Sequence, residues 1–217
     1  MHLHTLGDFF LKSLQSEVSK IMEENEAADV ASGNHPINWV LSYGKSRSYS
    51  LFNSKGDVAD NSDLLTFDTS KKRFHGAEKY PTVAAFMALF PDTTNWRINV
   101  LHPSPPMKPG EGFQSSGFSP HRAYTMHEVH DKTAASPASA LTEKTAMRMK
   151  FHMPVFTQAD YVDMHQFDRS YAFEEGKAYY FTNGCPHSVE NRGTIPRVHL
   201  IWDMLLTVSI QCCLFAL

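Results

Sequence analysis

One stretch near the C-terminus decides the fold: residues 177–203 read KAYYFTNGCPHSVENRGTIPRVHLIWD. Short runs of β-branched and aromatic residues alternate here with turn signals, Asn183–Gly184 and then Asn191–Gly193. This pattern predicts strands over Lys177–Thr182, His187–Glu190 and Arg197–Asp203. Many short strands separated by Gly and Asn turns are typical of a β-sandwich or barrel.

The residues upstream extend this picture. Further β-type runs predict strands at Arg97–Leu101, Arg148–Val155 and Tyr171–Phe173. Between the first two, Pro103–Pro120 contains PSPPMKPGEG and predicts an irregular surface loop. Apolar residues at helical spacing predict an amphipathic helix over Leu6–Ile21 and a short helix over Thr82–Phe90. We expect residues 1–95 to form a helical and mixed segment packed on a β-core at 96–217, together as one domain.

Composition excludes several classes of protein. Lys and Arg number 20 against 23 Asp and Glu, and no basic stripe indicates a nucleic-acid binder. Three Cys, two of them adjacent, are too few for a disulfide framework. We see no signal peptide and no apolar run long enough to span a membrane, so a cytoplasmic location is the default expectation. The unusual count is 12 His in 217 residues. Because His is the commonest metal ligand, their positions matter.

Histidines fall in three clusters, and the first and third have the layout of a non-haem iron site. The clusters are His127–Asp131 (HEVHD), Lys150–His152 (KFH) and the segment from His187 to Arg197. Non-haem Fe(II) that activates O₂ is commonly held by two His and one carboxylate, with open positions left for substrates. A 2-oxoglutarate cosubstrate also needs a cation for its far carboxylate, and the planar fork of Arg suits that task. If the Asn191–Gly193 turn joins two antiparallel neighbours, His187 and Arg197 both face the barrel interior.

The second and third clusters resemble the aspartyl/asparaginyl β-hydroxylase family of Fe(II)/2-oxoglutarate dioxygenases, with its prolyl-hydroxylase-like relatives. The matching elements are KFH at 150–152, EGK at 175–177, HSVEN at 187–191 and RVHLIWD at 197–203. The resemblance covers about 75 residues, Met126 to Asp203. It implies a mainly β, cupin-like jelly-roll, also called a double-stranded β-helix, with flanking helices.

The resemblance also implies roles for individual residues. His187 is then the distal iron ligand, Arg197 binds the far carboxylate of 2-oxoglutarate, and His152 contacts the cosubstrate near the metal. Lys150 stands where the family usually has Arg. A Lys presents a point charge in place of a fork, so this departure alters how a carboxylate is bound.

The proximal iron ligand is left open between His130, ranked first, and His127. The superfamily spacing His-x-Asp or His-x-Glu is absent here. Adjacent His130 and Asp131 point to opposite sides of a regular strand, so Asp131 becomes a third ligand only if the strand is bulged. His121, in SPHR, is a minor rival for the proximal ligand, and the remaining histidines, His199 included, are interpreted as ordinary surface or strand residues.

The function expected from this resemblance is hydroxylation of an Asp, Asn or Pro side chain, free or in a peptide, with O₂ as co-substrate. Two alternatives remain open. One is a metal-binding cupin enzyme that does not use 2-oxoglutarate, in which case Arg197 is structural. The other is a catalytically inactive jelly-roll that serves as a binding module.

Overall fold

The structure is a computed structural model, and it describes residues 2–5, 7–32, 41–43, 46–58, 69–90, 93–103, 116–121, 148–166, 169–181 and 187–205. These residues form two helices and eleven strands. In chain order the elements are β1 (His2–Thr5), α1 (Asp8–Ser32), β2 (Leu41–Tyr43), β3 (Ser46–Ser50), α2 (Pro81–Ala88), β4 (Thr93–Leu101), β5 (Ser116–His121), β6 (Arg148–Phe156), β7 (Val162–Gln166), β8 (Arg169–Ala172), β9 (Lys177–Phe181), β10 (His187–Asn191) and β11 (Arg197–Leu205).

The strands form two antiparallel sheets. A six-stranded sheet has the order β1-β9-β6-β11-β4-β3, and a five-stranded sheet has the order β2-β5-β10-β7-β8. From β4 onward the chain passes repeatedly from one sheet to the other, with β7 and β8 together in the second sheet. That winding is the jelly-roll. The predicted fold class, mainly β with flanking helices, is confirmed.

Two details of the sequence prediction are wrong. Part of the predicted Pro103–Pro120 loop is a strand, because Ser116–His121 forms β5 between β2 and β10. Its residues, SGFSPH, have little intrinsic strand preference, so pairing on both edges determines the structure. The strands on either side of Asn191–Gly193 are also not neighbours. Strand β10 pairs with β5 and β7, whereas β11 pairs with β4 and β6, so the turn carries the chain between sheets.

One face of the six-stranded sheet packs against the helices. Alternate residues of β4, β6 and β11 meet the buried side of α1 and α2 in one apolar cluster. At its centre the Trp202 ring stacks on Trp96 at 4.7 Å and on Phe151 at 5.4 Å. Phe86 from α2 meets the Trp202 ring edge-on at 5.6 Å. Aromatic pairs in these geometries add to the stabilisation from buried area.

Polar contacts fix the two helices to each other and to the sheet. The Glu17 carboxylate on α1 accepts hydrogen bonds from the backbone N–H groups of Thr82 and Val83, at 3.0 and 2.8 Å. These are donors in the first turn of α2 that no helical carbonyl satisfies. Gln15 Nε2 donates to the Val155 carbonyl at 2.8 Å, which ties α1 to β6.

The turn before β9 requires glycine. Gly176 has φ +73°, a conformation that other L-residues rarely adopt. Its N–H donates to the Pro154 carbonyl at 2.9 Å, and the side chain of Leu11 lies against its Cα. The predicted Glu175–Gly176 turn therefore leads from β8 into β9 and is held to β6 by this hydrogen bond.

The aromatic cluster gives a direct test of which helix residues hold the fold. Phe86 is fully buried, so Phe86→Ala should lower the free energy of unfolding by about 3–5 kcal/mol through lost burial and a cavity. Phe9 is 87% exposed, so Phe9→Ala should change it by less than about 0.5 kcal/mol. Urea denaturation of both variants measures the difference. Equal losses would contradict the assignment of α2 to the core.

Candidate functional site

The second face of the six-stranded sheet is polar, although most of it is buried. Side chains alternate along a strand, so the residues between the apolar ones point away from the helices. On the central strands these positions hold Asn95, Arg97, Asn99, Lys150, His152, Arg197, His199 and Asp203. All but Arg97 and Lys150 are buried. Burying polar groups costs free energy unless they are paired, so this layer is the candidate site.

Arg197 is the most unusual member of the layer. It is 2% exposed, and burial lowers the pKa of its guanidinium to about 9. Its Nη2 donates to Oδ1 of Asn99 at 2.8 Å. Among the described residues no carboxylate pairs with it, and its Nε has no hydrogen-bond partner. A buried guanidinium in this state fits an anionic ligand, above all a planar carboxylate.

A pair of histidines lies beside Arg197. His152 on β6 and His199 on β11 face each other with their Nδ1 atoms 3.4 Å apart. Burial, and then the positive charges of its neighbours, holds the pKa of His152 well below its usual value. Burial and the charge of Arg197 do the same to the pKa of His199. Both imidazoles are therefore neutral at neutral pH, so only one of the two Nδ1 atoms can donate.

Lys150 has a carboxylate partner on the same layer. Its Nζ lies 4.0 Å from Oδ1 of Asp203, whose side chain is 1% exposed. The Asn95 amide donates to Oδ2 of the same carboxylate. Asp203 is the one acidic residue in the sequences of β4, β6 and β11. The described side chains of these three strands therefore carry three cations, Arg97, Lys150 and Arg197, and one carboxylate, that of Asp203.

Asn191 joins the two sheets next to this layer. It is fully buried at the end of β10, and its Nδ2 donates to the carbonyls of Leu101 and Ile195, at 2.9 and 3.0 Å. Its Oδ1 accepts from the Gly193 N–H at 2.9 Å. One side chain therefore closes the turn and connects β10 to the end of β4. It fixes the point from which Arg197 begins β11.

The structure brings together three of the residues singled out from the sequence, namely Lys150, His152 and Arg197, on one face. His187 begins β10 in the five-stranded sheet, and so lies on a different sheet from these three. His127, His130 and Asp131 lie outside the described residues. Within the described residues no three His, Cys, Asp or Glu side chains are grouped as a metal site.

Sequence reasoning missed His199 as a member of the site. It was interpreted as an ordinary residue, whereas it is 1% exposed and contacts His152. The alternation of β11 carried the signal, because positions 197, 199 and 203 must share a face. Asn95 and Asn99 on β4 gave no such signal, since only the pairing of β4 with β11 brings them to Asp203 and His199.

Comparison with known families agrees with the resemblance seen in the sequence. Residues 123–206 match the family described as aspartyl/asparaginyl beta-hydroxylase. The match includes β6 to β11 and therefore the polar layer apart from its β4 residues. The resemblance is thereby confirmed over this segment. A search of curated proteins finds no match.

Several solved structures resemble about half of the chain, at 13–14% sequence identity. TT1209 from Thermus thermophilus has 14% identity and a TM-score of 0.30, over 51% of this chain and 71% of that one. A predicted oxalate decarboxylase from Thermotoga maritima has 13% identity and a TM-score of 0.33, over 55% and 73%. The Cupin_2 domain of an XRE family transcriptional regulator from Enterobacter cloacae has 13% identity and a TM-score of 0.30, over 55% of this chain and 93% of that one.

No helix in the described ranges is long and apolar enough to cross a bilayer.

The burial of Arg197 predicts a cost to stability. Met keeps an unbranched stem like that of Arg and has no charge, so Arg197→Met should raise the free energy of unfolding of the ligand-free protein by about 1–3 kcal/mol. Arg192 is 45% exposed, and Arg192→Met should change it by less than about 0.5 kcal/mol. Urea denaturation at pH 7 measures both. A lower free energy of unfolding in Arg197→Met would contradict the prediction, because it would show that the guanidinium stabilises the ligand-free protein.

The histidine pair predicts a loss of stability in mild acid. The folded pKa values of both lie below the unfolded value of about 6.5, so their contribution is complete above that pH and is lost as the pH falls. His199→Leu removes one of these titrations. Between pH 6 and pH 5 its stability should fall less steeply than that of the wild type, by about 1.4 kcal/mol per pH unit. Parallel slopes in urea denaturation series would contradict this.

Proposed function

We propose, from the match of residues 123–206 to the aspartyl/asparaginyl β-hydroxylase family, that the protein is an Fe(II)- and 2-oxoglutarate-dependent dioxygenase. Its substrate is an Asp, Asn or Pro side chain, free or in a peptide. The family match and the jelly-roll support a hydroxylase of cupin-like fold. The observation that supports 2-oxoglutarate as the cosubstrate is the buried Arg197, whose Nε has no hydrogen-bond partner among the described residues.

The polar layer fits 2-oxoglutarate in charge and in chemistry. This cosubstrate is a dianion, and the described side chains on β4, β6 and β11 hold two more cations than carboxylates. Arg197 would bind the far carboxylate through its fork. Lys150 and His152 lie on the same face, on the neighbouring strand β6, where they would contact the rest of the molecule.

The iron ligands in this proposal are His187 and a residue from the 127–131 segment, with His130 ahead of His127 and Asp131 as a third. Imidazole and carboxylate together form the donor set that non-haem Fe(II) oxygenases use. The bound iron and 2-oxoglutarate supply the O₂-dependent oxidation of the substrate. The chain itself binds the cosubstrate, orients it between the sheets and excludes water from the polar layer.

The first experiment is an anaerobic titration of the metal-free protein with Fe(II) and then with 2-oxoglutarate, following the visible charge-transfer band of the chelate. We expect the band in the wild type, and its loss in His187→Ala and in Arg197→Ala. His75 is exposed and lies in a loop outside the polar layer, so His75→Ala should keep the band. Circular dichroism of each variant checks that the fold is retained.

The same titration separates the alternatives. Iron binding without a 2-oxoglutarate band would favour a metal enzyme of the same fold that does not use this cosubstrate. Absence of iron binding by the wild type would contradict an enzyme altogether, and would favour an inactive jelly-roll that serves as a binding module.

A further inference from the structure

His199 and Arg197 each present an unsatisfied nitrogen atom on the same face of β11. The residues are two apart on β11, so they share the face that looks away from the helices. His199 Nε2 and Arg197 Nε are both buried, and neither has a hydrogen-bond partner among the described residues. Asn99 is the cross-strand partner of His199 and also accepts from Arg197 Nη2, so the guanidinium reaches along the face to the level of His199.

The contact between His152 and His199 limits which nitrogen atoms can donate. Each neutral imidazole carries a single N–H. If one ring donates from Nδ1 across the 3.4 Å contact, its own Nε2 is unprotonated. The ring that accepts at Nδ1 must then carry its proton on Nε2. The pair therefore offers one Nε2–H donor and no more. Which ring carries it depends on what lies next to each Nε2.

We propose that His199 Nε2–H is a second donor to the carboxylate that Arg197 binds, and that His152 is the positioning residue that donates Nδ1–H to His199. An anion beside Arg197 draws the N–H of the pair to the ring next to it, and that ring is His199. Naming this carboxylate as the far one of 2-oxoglutarate rests on the proposed function.

The surroundings of His199 hold its ring in place. Phe173, which follows β8, lies nearly parallel to the His199 ring with centroids 6.0 Å apart. Phe173 in turn stacks on Tyr179 at 4.3 Å. Phe173 thus lies against both histidines, whose side chains are buried. A hydrogen bond made in such a site is stronger than one exposed to solvent.

Two amide variants separate the two nitrogen atoms of His199. In His199→Gln the side-chain amide reaches the position of Nε2 and can still donate there. In His199→Asn the shorter amide occupies the position of Nδ1 and leaves the Nε2 position empty. Affinity is measured by anaerobic calorimetry on Fe(II)-loaded protein with two probes, 2-oxoglutarate and glutarate. Glutarate has both carboxylates of 2-oxoglutarate but no keto group for chelation.

We expect both probes to bind His199→Asn roughly tenfold to hundredfold more weakly than wild type, since a donor to a charged group is lost. His199→Gln should stay within about threefold of wild type, a difference of less than one hydrogen bond. In ¹⁵N spectra of the wild type with glutarate, His199 should show a protonated Nε2 and His152 a bare one. The spectra need no variant, so they remain decisive if a variant fails to fold.

Other outcomes overturn the inference. If His199→Asn binds as well as wild type, or if His152 carries the Nε2 proton in the complex, His199 is not the donor. If glutarate binds with the expected ranking of variants and 2-oxoglutarate gives no chelate band, the carboxylate site stands and the proposed oxygenase function fails. If neither probe binds the wild type, both fail.

Discussion

The structure depends on burying both faces of β11. This strand is hydrogen-bonded along both edges, to β4 and to β6, and lies inside the six-stranded sheet. One face carries Val198, Leu200, Trp202 and Met204 into the helix-packed core. The other carries Arg197, His199 and Asp203 into the polar layer. A slip of one residue in register would put the guanidinium among the aromatic rings, so the apolar pattern fixes both the sheet and the site.

The cost of the polar layer is offset on the opposite side of the same strands. Trp96, Trp202, Phe151 and Phe86 form a stacked and edge-on aromatic layer behind the charged residues. Large aromatic side chains stabilise a core by several kcal/mol each. A strand anchored in this way tolerates a buried cation that a two-stranded edge would expel into water. Stability from one face therefore allows an uncompensated charge on the other, as is common where a site is built for a ligand.

The sequence predicted the strands whose apolar and β-branched residues are dense. The predicted Arg148–Val155 and Arg197–Asp203 differ from β6 and β11 by only one or two residues at an end. It failed at β5 and β7, where SGFSPH and VDMHQ contain Gly, Pro and polar residues and pairing alone determines the conformation. Arg197, His152 and Lys150 were found through motifs. His199 was missed because each histidine was judged singly, whereas strand alternation ties its position to that of Arg197.

Lys150 stands where the related family usually has Arg, and the position of Asp203 on the polar layer gives a physical reason for the difference. Asp203, oriented by the Asn95 amide, lies 4.0 Å from the Lys150 ammonium, so that point charge already has a carboxylate nearby. A second Arg there would present a fork able to bind Asp203 at two points and withdraw it from Asn95. Arg197 has no such partner among the described residues and keeps its Nε free of hydrogen bonds there. In the proposed site, recognition of an incoming carboxylate would thereby be concentrated on β11, at Arg197 and at His199 on the same face.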